Sequence, residues 1–194
     1  MTVKQVGAWC ALAVAFFSSA DAAELRGTVR GLGMRRGADA VVYIDAIPGR
    51  TFPVPRDHAV VETKDLVFAP TVLPVLMGTT VDFMNRDEMA HNVFSPDKCA
   101  GKFDLGKLAQ GQSRSHTFNA PCTATLLCSI HPEMEGFILA LPTPYFSRLD
   151  KTGAYAIRDL PDGDYRVKFW HPKIGEQSQR IKVSGAIMVD FEIR

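Results

Sequence analysis

Cys128, His131 and Met134 fall at C-x-x-H-x-x-M spacing in Cys128-Ser129-Ile130-His131-Pro132-Glu133-Met134, so one short loop can aim a thiolate, an imidazole and a thioether at a common point. A second imidazole, His91, lies upstream in Asp87-Glu88-Met89-Ala90-His91-Asn92-Val93-Phe94. Two His, one Cys and one Met are the ligand set of a trigonal copper site with a weak axial thioether. The thiolate donates strongly to Cu(II), neutral imidazoles serve both oxidation states, and a long thioether bond favours the softer Cu(I), so little rearranges when one electron moves. Taken separately, these residues would be a buried Cys, a turn His and a core Met. Structural zinc fits the set less well, because closed zinc sites normally use four Cys or His donors.

Such a site needs strands to carry its ligands. Ala124 to Cys128 reads as a strand bringing Cys128 to the edge of a sheet, and Pro132 and Gly136 allow a compact turn that returns His131 and Met134 to the same point. His91 must arrive from a neighbouring strand, with Asn92 tying its loop to the Cys128 loop through hydrogen bonds. Short runs at Val67-Phe68, Val72 to Leu76, Thr80 to Met84, Asn92 to Phe94, Ser113 to Phe118 and Gly136 to Leu141 supply further strands. A helical period is suggested only over Ala59 to Asp65, with a short turn around Leu105 to Ala109. The chain reads as all-β.

Two other segments flank this one. Leu25 to Val29 and Ala40 to Ile44 read as strands before it. After Pro142-Thr143-Pro144, the runs Asp150-Lys151-Thr152-Gly153-Ala154-Tyr155-Ala156-Ile157 and Leu160-Pro161-Asp162-Gly163-Asp164-Tyr165-Arg166-Val167 follow a D-x-x-G-x-Y-x-I, L-P-x-G-x-Y-x-V cadence. Tyr165, Val167 and Phe169 alternate with Arg166 and Lys168, as in a half-buried antiparallel strand. The cadence, preceded by Gly27-Thr28-Val29 and Ala40-Val41-Val42-Tyr43-Ile44, resembles the carboxypeptidase regulatory-like, or transthyretin-like, β-sandwich.

Residues from about 66 to 141 resemble the cupredoxin family, closest to its amicyanin and plastocyanin-like members. The resemblance is carried by Phe68-Ala69-Pro70, Gly78, Val81, Phe83, Asn85, His91-Asn92-Val93, Phe103-Asp104, Gly111, Phe118, Cys128, His131-Pro132, Met134 and Gly136. It implies an eight-stranded Greek-key sandwich, one type 1 (blue) copper ion on His91, Cys128, His131 and Met134, and electron transfer through the exposed edge of His131. Glu133 and Glu135 depart from the simple carriers by giving the metal end an acidic accent. The expected architecture is a cupredoxin sandwich inserted in, or packed beside, a second small β-sandwich: 1–22 a signal peptide, 24–50 the first part of the transthyretin-like sandwich, 56–142 the cupredoxin domain and 145–194 the second part.

The signal reading rests on Lys4, the apolar stretch Gly7 to Phe17 and the A-x-A site Ala20-Asp21-Ala22. That stretch is shorter than the roughly 20 residues a membrane span needs, so a periplasmic or otherwise exported protein without stable membrane insertion is expected. Cleavage removes Cys10 and leaves Cys99, Cys122 and Cys128. Cys99 lies eight residues beyond His91 on a strand leaving the metal, and Cys122 six residues before Cys128 on one approaching it. Both then sit roughly 20 Å from the site, where a disulfide is the natural reading.

A net charge of +1 and an apolar fraction of 46% suit a globular protein without the basic footprint of a nucleic-acid partner. His58, His116 and His171 are isolated, His116 on an exposed strand face with Arg114, and Met77, Met84 and Met89 form no close cluster. Copper oxidases and reductases need a second centre rich in His. With five His and no H-x-H pair, the chain is expected to be no enzyme but an electron carrier meeting redox proteins transiently. The alternative is a copper-binding or copper-delivery protein.

Overall fold

The computed structural model describes residues 23–31 and 39–193. The signal-type segment 1–22, with Cys10, lies outside the described residues. Two strands come first, β1 (Ala23–Gly31) and β2 (Val41–Ile44). The middle of the chain holds β3 (Ala59–Lys64), β4 (Val67–Ala69), β5 (Val72–Leu76), β6 (Thr80–Asn85), β7 (His91–Ser95), β8 (Phe103–Leu108), β9 (Ser113–Thr117), β10 (Cys122–Leu127) and β11 (Glu135–Leu141). β12 (Phe146–Arg148), β13 (Ala154–Leu160), β14 (Gly163–His171), β15 (Gly175–Val183), β16 (Ile187–Met188) and β17 (Phe191–Ile193) complete the chain. Among the described residues no helix is long and apolar enough to cross a membrane.

The middle strands form two sheets, ordered β5-β11-β10-β7-β8 and β4-β3-β6-β9. Period-two alternation sends Val81 and Phe83 of β6 and Ala124 and Leu126 of β10 inward. They meet Val61, Phe68, Val93, Leu108 and Ile138 in one core between the sheets. The sandwich has nine strands rather than eight. Asp65 and Leu66, at φ 55° and 61°, make a tight turn that folds Val67–Ala69 back on β3 as a short further strand. Gly136 lets β11 pass close to this strand: a Cβ there would stand 3.0 Å from Phe68 Cβ, so the Phe68 side chain would have to give way.

Two local expectations fail. Ala59 to Lys64 is strand β3, not helix, and Asp65 begins the turn after it: Val61 and Thr63 face inward while Val60 and Lys64 face out, which suits β-branched residues on a pleated surface. The turn expected around Leu105 to Ala109 lies largely inside β8. Gly106 keeps a turn-like left-handed φ of 67°, but as part of a register shift within β8, whose pairing with β7 runs on from His91↔Leu108 to Ser95↔Phe103.

The flanking strands pair with each other across the middle segment. β1 pairs with β13, β16 and β17, while β2 lies between β12 and β14, with β15 at the edge. Leu25, Val29, Val42, Ile44, Val167, Phe169 and Phe191 fill the core between these sheets. Gly27 lies so close to the Val189 carbonyl that no side chain fits.

Both sandwiches share a seam. Val41 and Tyr43 of β2 pack with Val72 of β5 and with Leu139 and Leu141 of β11, while Phe137 meets Trp170 edge to face with centroids 5.4 Å apart. β2 is buried on both faces: Val42 and Ile44 serve its own core and Val41 and Tyr43 the seam. That accounts for its nearly continuous apolar sequence.

Candidate metal centre

β7 opens with His91, and Cys128 follows directly on the end of β10. β10 is not an edge strand, since β11 and β7 lie on either side of it, so Cys128 emerges from the middle of its sheet. After Cys128 the chain turns tightly, with the Met134 N–H donating to the His131 carbonyl at 3.0 Å, and re-enters the sheet as β11. The ligand atoms of His91, Cys128 and His131 all lie within 4.8 Å of one another. His91 Nδ1 and His131 Nδ1 are 3.0 Å apart. His91 is 0% exposed, Cys128 3% and Met134 1%, whereas His131 keeps partial contact with solvent. Met134 belongs to the same buried cluster as Cys128.

Asn92 links the two ligand loops. Its Oδ1 accepts the Ser129 N–H at 2.6 Å and the Ser129 hydroxyl at 2.9 Å, and its Nδ2 donates to Asp104 at 3.1 Å. The residue next to Cys128 is therefore pinned to the residue next to His91.

Asp87 was not singled out by the sequence reading. Its Oδ2 lies 2.8 Å from His91 Nε2. Burial pushes the Asp87 carboxyl upward, but the Leu66 and Asp65 amides and His91 outweigh it and hold the group below the ordinary carboxylate range. With Nε2 engaged by a carboxylate, Nδ1 is the His91 nitrogen that meets His131 Nδ1. The only available signal was a carboxylate four residues before a candidate ligand, a spacing equally common on a solvated loop.

The donor set fits copper. Two imidazole nitrogens and a buried free cysteine converge, and a buried thioether follows in the same loop, which combines borderline with soft donors.

The remaining candidates lie elsewhere. Cys99 and Cys122 form a disulfide with Cα atoms 5.4 Å apart, joining the 3-10 turn Lys98–Ala100 to the start of β10. The length of β10 separates this bridge from Cys128, about 20 Å at strand rise. His58 pairs with Asp82 at 2.9 Å. His116 is not on a plainly exposed face: it stacks on Phe103 with centroids 3.9 Å apart and bonds the Ala100 carbonyl at 2.8 Å, because two aromatics, Phe103 and Phe118, flank it. His171 Nδ1 accepts the Lys173 N–H at 3.1 Å and caps a turn, and burial lowers its pKa. Glu133 and Glu135 are exposed beside the centre.

A two-sheet sandwich that gathers two His and a Cys at one end has the layout expected of the cupredoxin class. Residues 56–140 match the family of copper binding proteins described as plastocyanin/azurin. The match covers this domain rather than the whole chain, and together with the His-Cys-His cluster it supports one bound copper ion. Among solved structures, the chain is similar to a purple cupredoxin from Nitrosopumilus maritimus, with 25% identity and TM-score 0.39 over 42% of this chain and 98% of that one. A reduced amicyanin variant gives 28% identity and TM-score 0.42 over 45% and 85%. A copper-containing nitrite reductase from Thermus scotoductus gives 23% identity and TM-score 0.44 over 59% and 28%. No curated protein matches the chain.

Proposed function

We propose that this chain is an exported one-electron carrier whose single type 1 copper ion is held by His91, Cys128, His131 and Met134. The observation that carries the reading is the convergence of His91, Cys128 and His131 within 4.8 Å at the end of a family-matched copper domain. When bound, copper supplies a Cu(II)/Cu(I) couple, which accepts one electron from a reduced partner and returns it to an oxidised one.

The protein's own residues do the rest. β7 and β10 hold His91 and Cys128 in a dry interior, and the Asn92–Ser129 bonds fix their loops relative to each other. Such rigidity keeps the ligands in place when the charge of the site changes. His131 is the ligand with solvent contact and so offers the route to a partner docked transiently over a small interface. Burial of His91, Cys128 and Met134 favours a retained ion over copper delivery, which calls for ligands exchangeable at the surface. A non-catalytic role accords with the five His in the chain.

The division proposed is a cupredoxin unit, 56–142, inserted between the two parts of a transthyretin-like sandwich, 24–50 and 145–194. The pairing of β1 with β13, β16 and β17 and of β2 with β12 and β14 supports it. Export is supported by Lys4, Gly7 to Phe17 and Ala20-Asp21-Ala22, and by a disulfide suited to an oxidising compartment.

Copper titration of the full chain, read by absorption, tests the ligand set. The expected result is one equivalent bound with an intense visible band, lost in Cys128→Ser. A band that survives Cys128→Ser contradicts it. N-terminal sequencing of the secreted protein tests export, with a start near Ala22 or Ala23 expected and a retained Met1 opposing it.

A further inference from the structure

Asp87 sits at the meeting point of two structural requirements. Its carboxylate faces His91 Nε2 at 2.8 Å, with 15% of its own side chain exposed and none of the histidine's. Behind it, the Asp65 and Leu66 N–H groups donate to its two oxygens at 2.7 and 3.2 Å. Both turn residues are non-glycine at positive φ, 55° and 61°, an uncommon backbone state for such side chains. The Asp87 N–H in turn donates to Asn85 Oδ1 at 2.9 Å, and that buried amide also accepts the Thr63 hydroxyl at 2.9 Å and donates to the Met89 and Leu108 carbonyls at 2.8 and 3.0 Å. The carboxylate is thus gripped by the β3–β4 turn, while the Asp87 backbone is anchored to Asn85 at the end of β6, itself tied to β3 through Thr63.

We propose that Asp87 is a positioning residue for His91, fixing Nδ1 as the nitrogen that faces the metal and biasing the bound copper toward its oxidised state. The inference rests on the copper reading above. A backbone carbonyl in the same place would orient the ring equally well, but a carboxylate adds a full negative charge. Charge-assisted hydrogen bonds are the stronger kind, and a carboxylate behind a ligating imidazole raises the basicity of the ligand. Cu(II) carries one more positive charge than Cu(I), so the added charge stabilises the oxidised site more than the reduced one.

The test is a redox titration of the copper-loaded full chain, followed at the visible band, for wild type, Asp87→Asn and Asp87→Glu. Asp87→Asn keeps the band and moves the Cu(II)/Cu(I) equilibrium about tenfold toward Cu(I), a rise of about 59 mV for one electron. Asp87→Glu restores at least part of the wild-type value. An Asp87→Asn protein with the band intact and the potential unmoved overturns the inference while leaving the copper reading standing. A wild-type protein that takes up copper without a visible band overturns both. A measurement on unmutated protein decides the matter where Asp87→Asn does not fold: nitrogen-15 shifts of metal-free wild type report the His91 tautomer. Protonation at Nε2 supports the assignment and protonation at Nδ1 overturns it.

Discussion

The two β-sandwiches are built alike, each from two sheets around an apolar core, but they differ in what they bury besides hydrocarbon. Among the described residues the middle sandwich encloses Thr63, Thr79, Asn85, His91, Asn92 and Ser95, while the flanking one encloses His171, and Thr143, where the two units join, bonds the Ile44 carbonyl. Burying a polar group costs free energy unless it is hydrogen-bonded. In the middle sandwich most of these groups are hydrogen-bonded, Thr63 to Asn85, Asn85 to Asp87, Asp87 to His91 and Asn92 to the Cys128 loop, while the Thr79 hydroxyl is buried without a partner. The flanking sandwich closes on Val167, Phe169 and Phe191. One unit is organised around a polar end and the other around its core and the seam.

The strongest way to break this contrast is to damage each core and watch the metal end. Phe83→Ala and Phe169→Ala each remove a fully buried ring and should destabilise their sandwich by about 3–5 kcal/mol. In thermal unfolding followed at both the visible band and the far-ultraviolet, Phe83→Ala should lower the temperature at which the band is lost. Phe169→Ala should leave the band intact in folded protein, and its loss there would mean that the two units are not distinct.

Next in size is the disulfide. Serine at both Cys99 and Cys122 opens a bridge spanning 23 residues and should remove about 3 kcal/mol through the unfolded chain. Denaturant unfolding should record that loss with an unshifted band; a changed band in folded protein would place the bridge within reach of the metal.

The seam gives a smaller effect. Trp170→Leu loses the edge-to-face contact with Phe137, an arrangement worth about 1 kcal/mol beyond area burial. Calorimetry should then resolve two transitions in place of closely coupled ones, whereas an unchanged trace would show the seam to be unimportant for coupling.

Smallest is an acid effect confined to the flanking sandwich. The Thr28 N–H and hydroxyl bond Asp190 at 2.7 and 3.0 Å and hold its carboxyl below the ordinary 3.8. A carboxyl lowered on folding contributes stability above its unfolded pKa and loses it as pH falls through the folded value. Asp190→Asn should flatten the pH dependence of stability below about pH 4 without touching the band. An identical acid limb in wild type and variant would refute this.

The candidate site was legible because its residues are chemically rare and Cys128 and His131 sit in one loop, where spacing translates into proximity. Asn92 was legible for the same reason, as a neighbour of His91. Asp87 was not, because its importance depends on Asp65 and Leu66 some twenty residues away. β3 and β8 were misread where long-range partners settle what local sequence leaves open: β6 beside β3, and β7 pairing with β8 on either side of a register shift that takes in Gly106. β2 and β11 read as strands, but their second buried face became visible only when the sandwiches met across Tyr43, Leu139 and Leu141.

The central claim is a single thiolate-bound copper ion that cycles by one electron. Its most direct test is the absorption of the full chain loaded with one equivalent of Cu(II), followed through chemical reduction and reoxidation. An intense visible band that bleaches on uptake of one electron per protein and returns on reoxidation is the predicted result. A colourless Cu(II)-loaded protein, or a band that does not return, would contradict it.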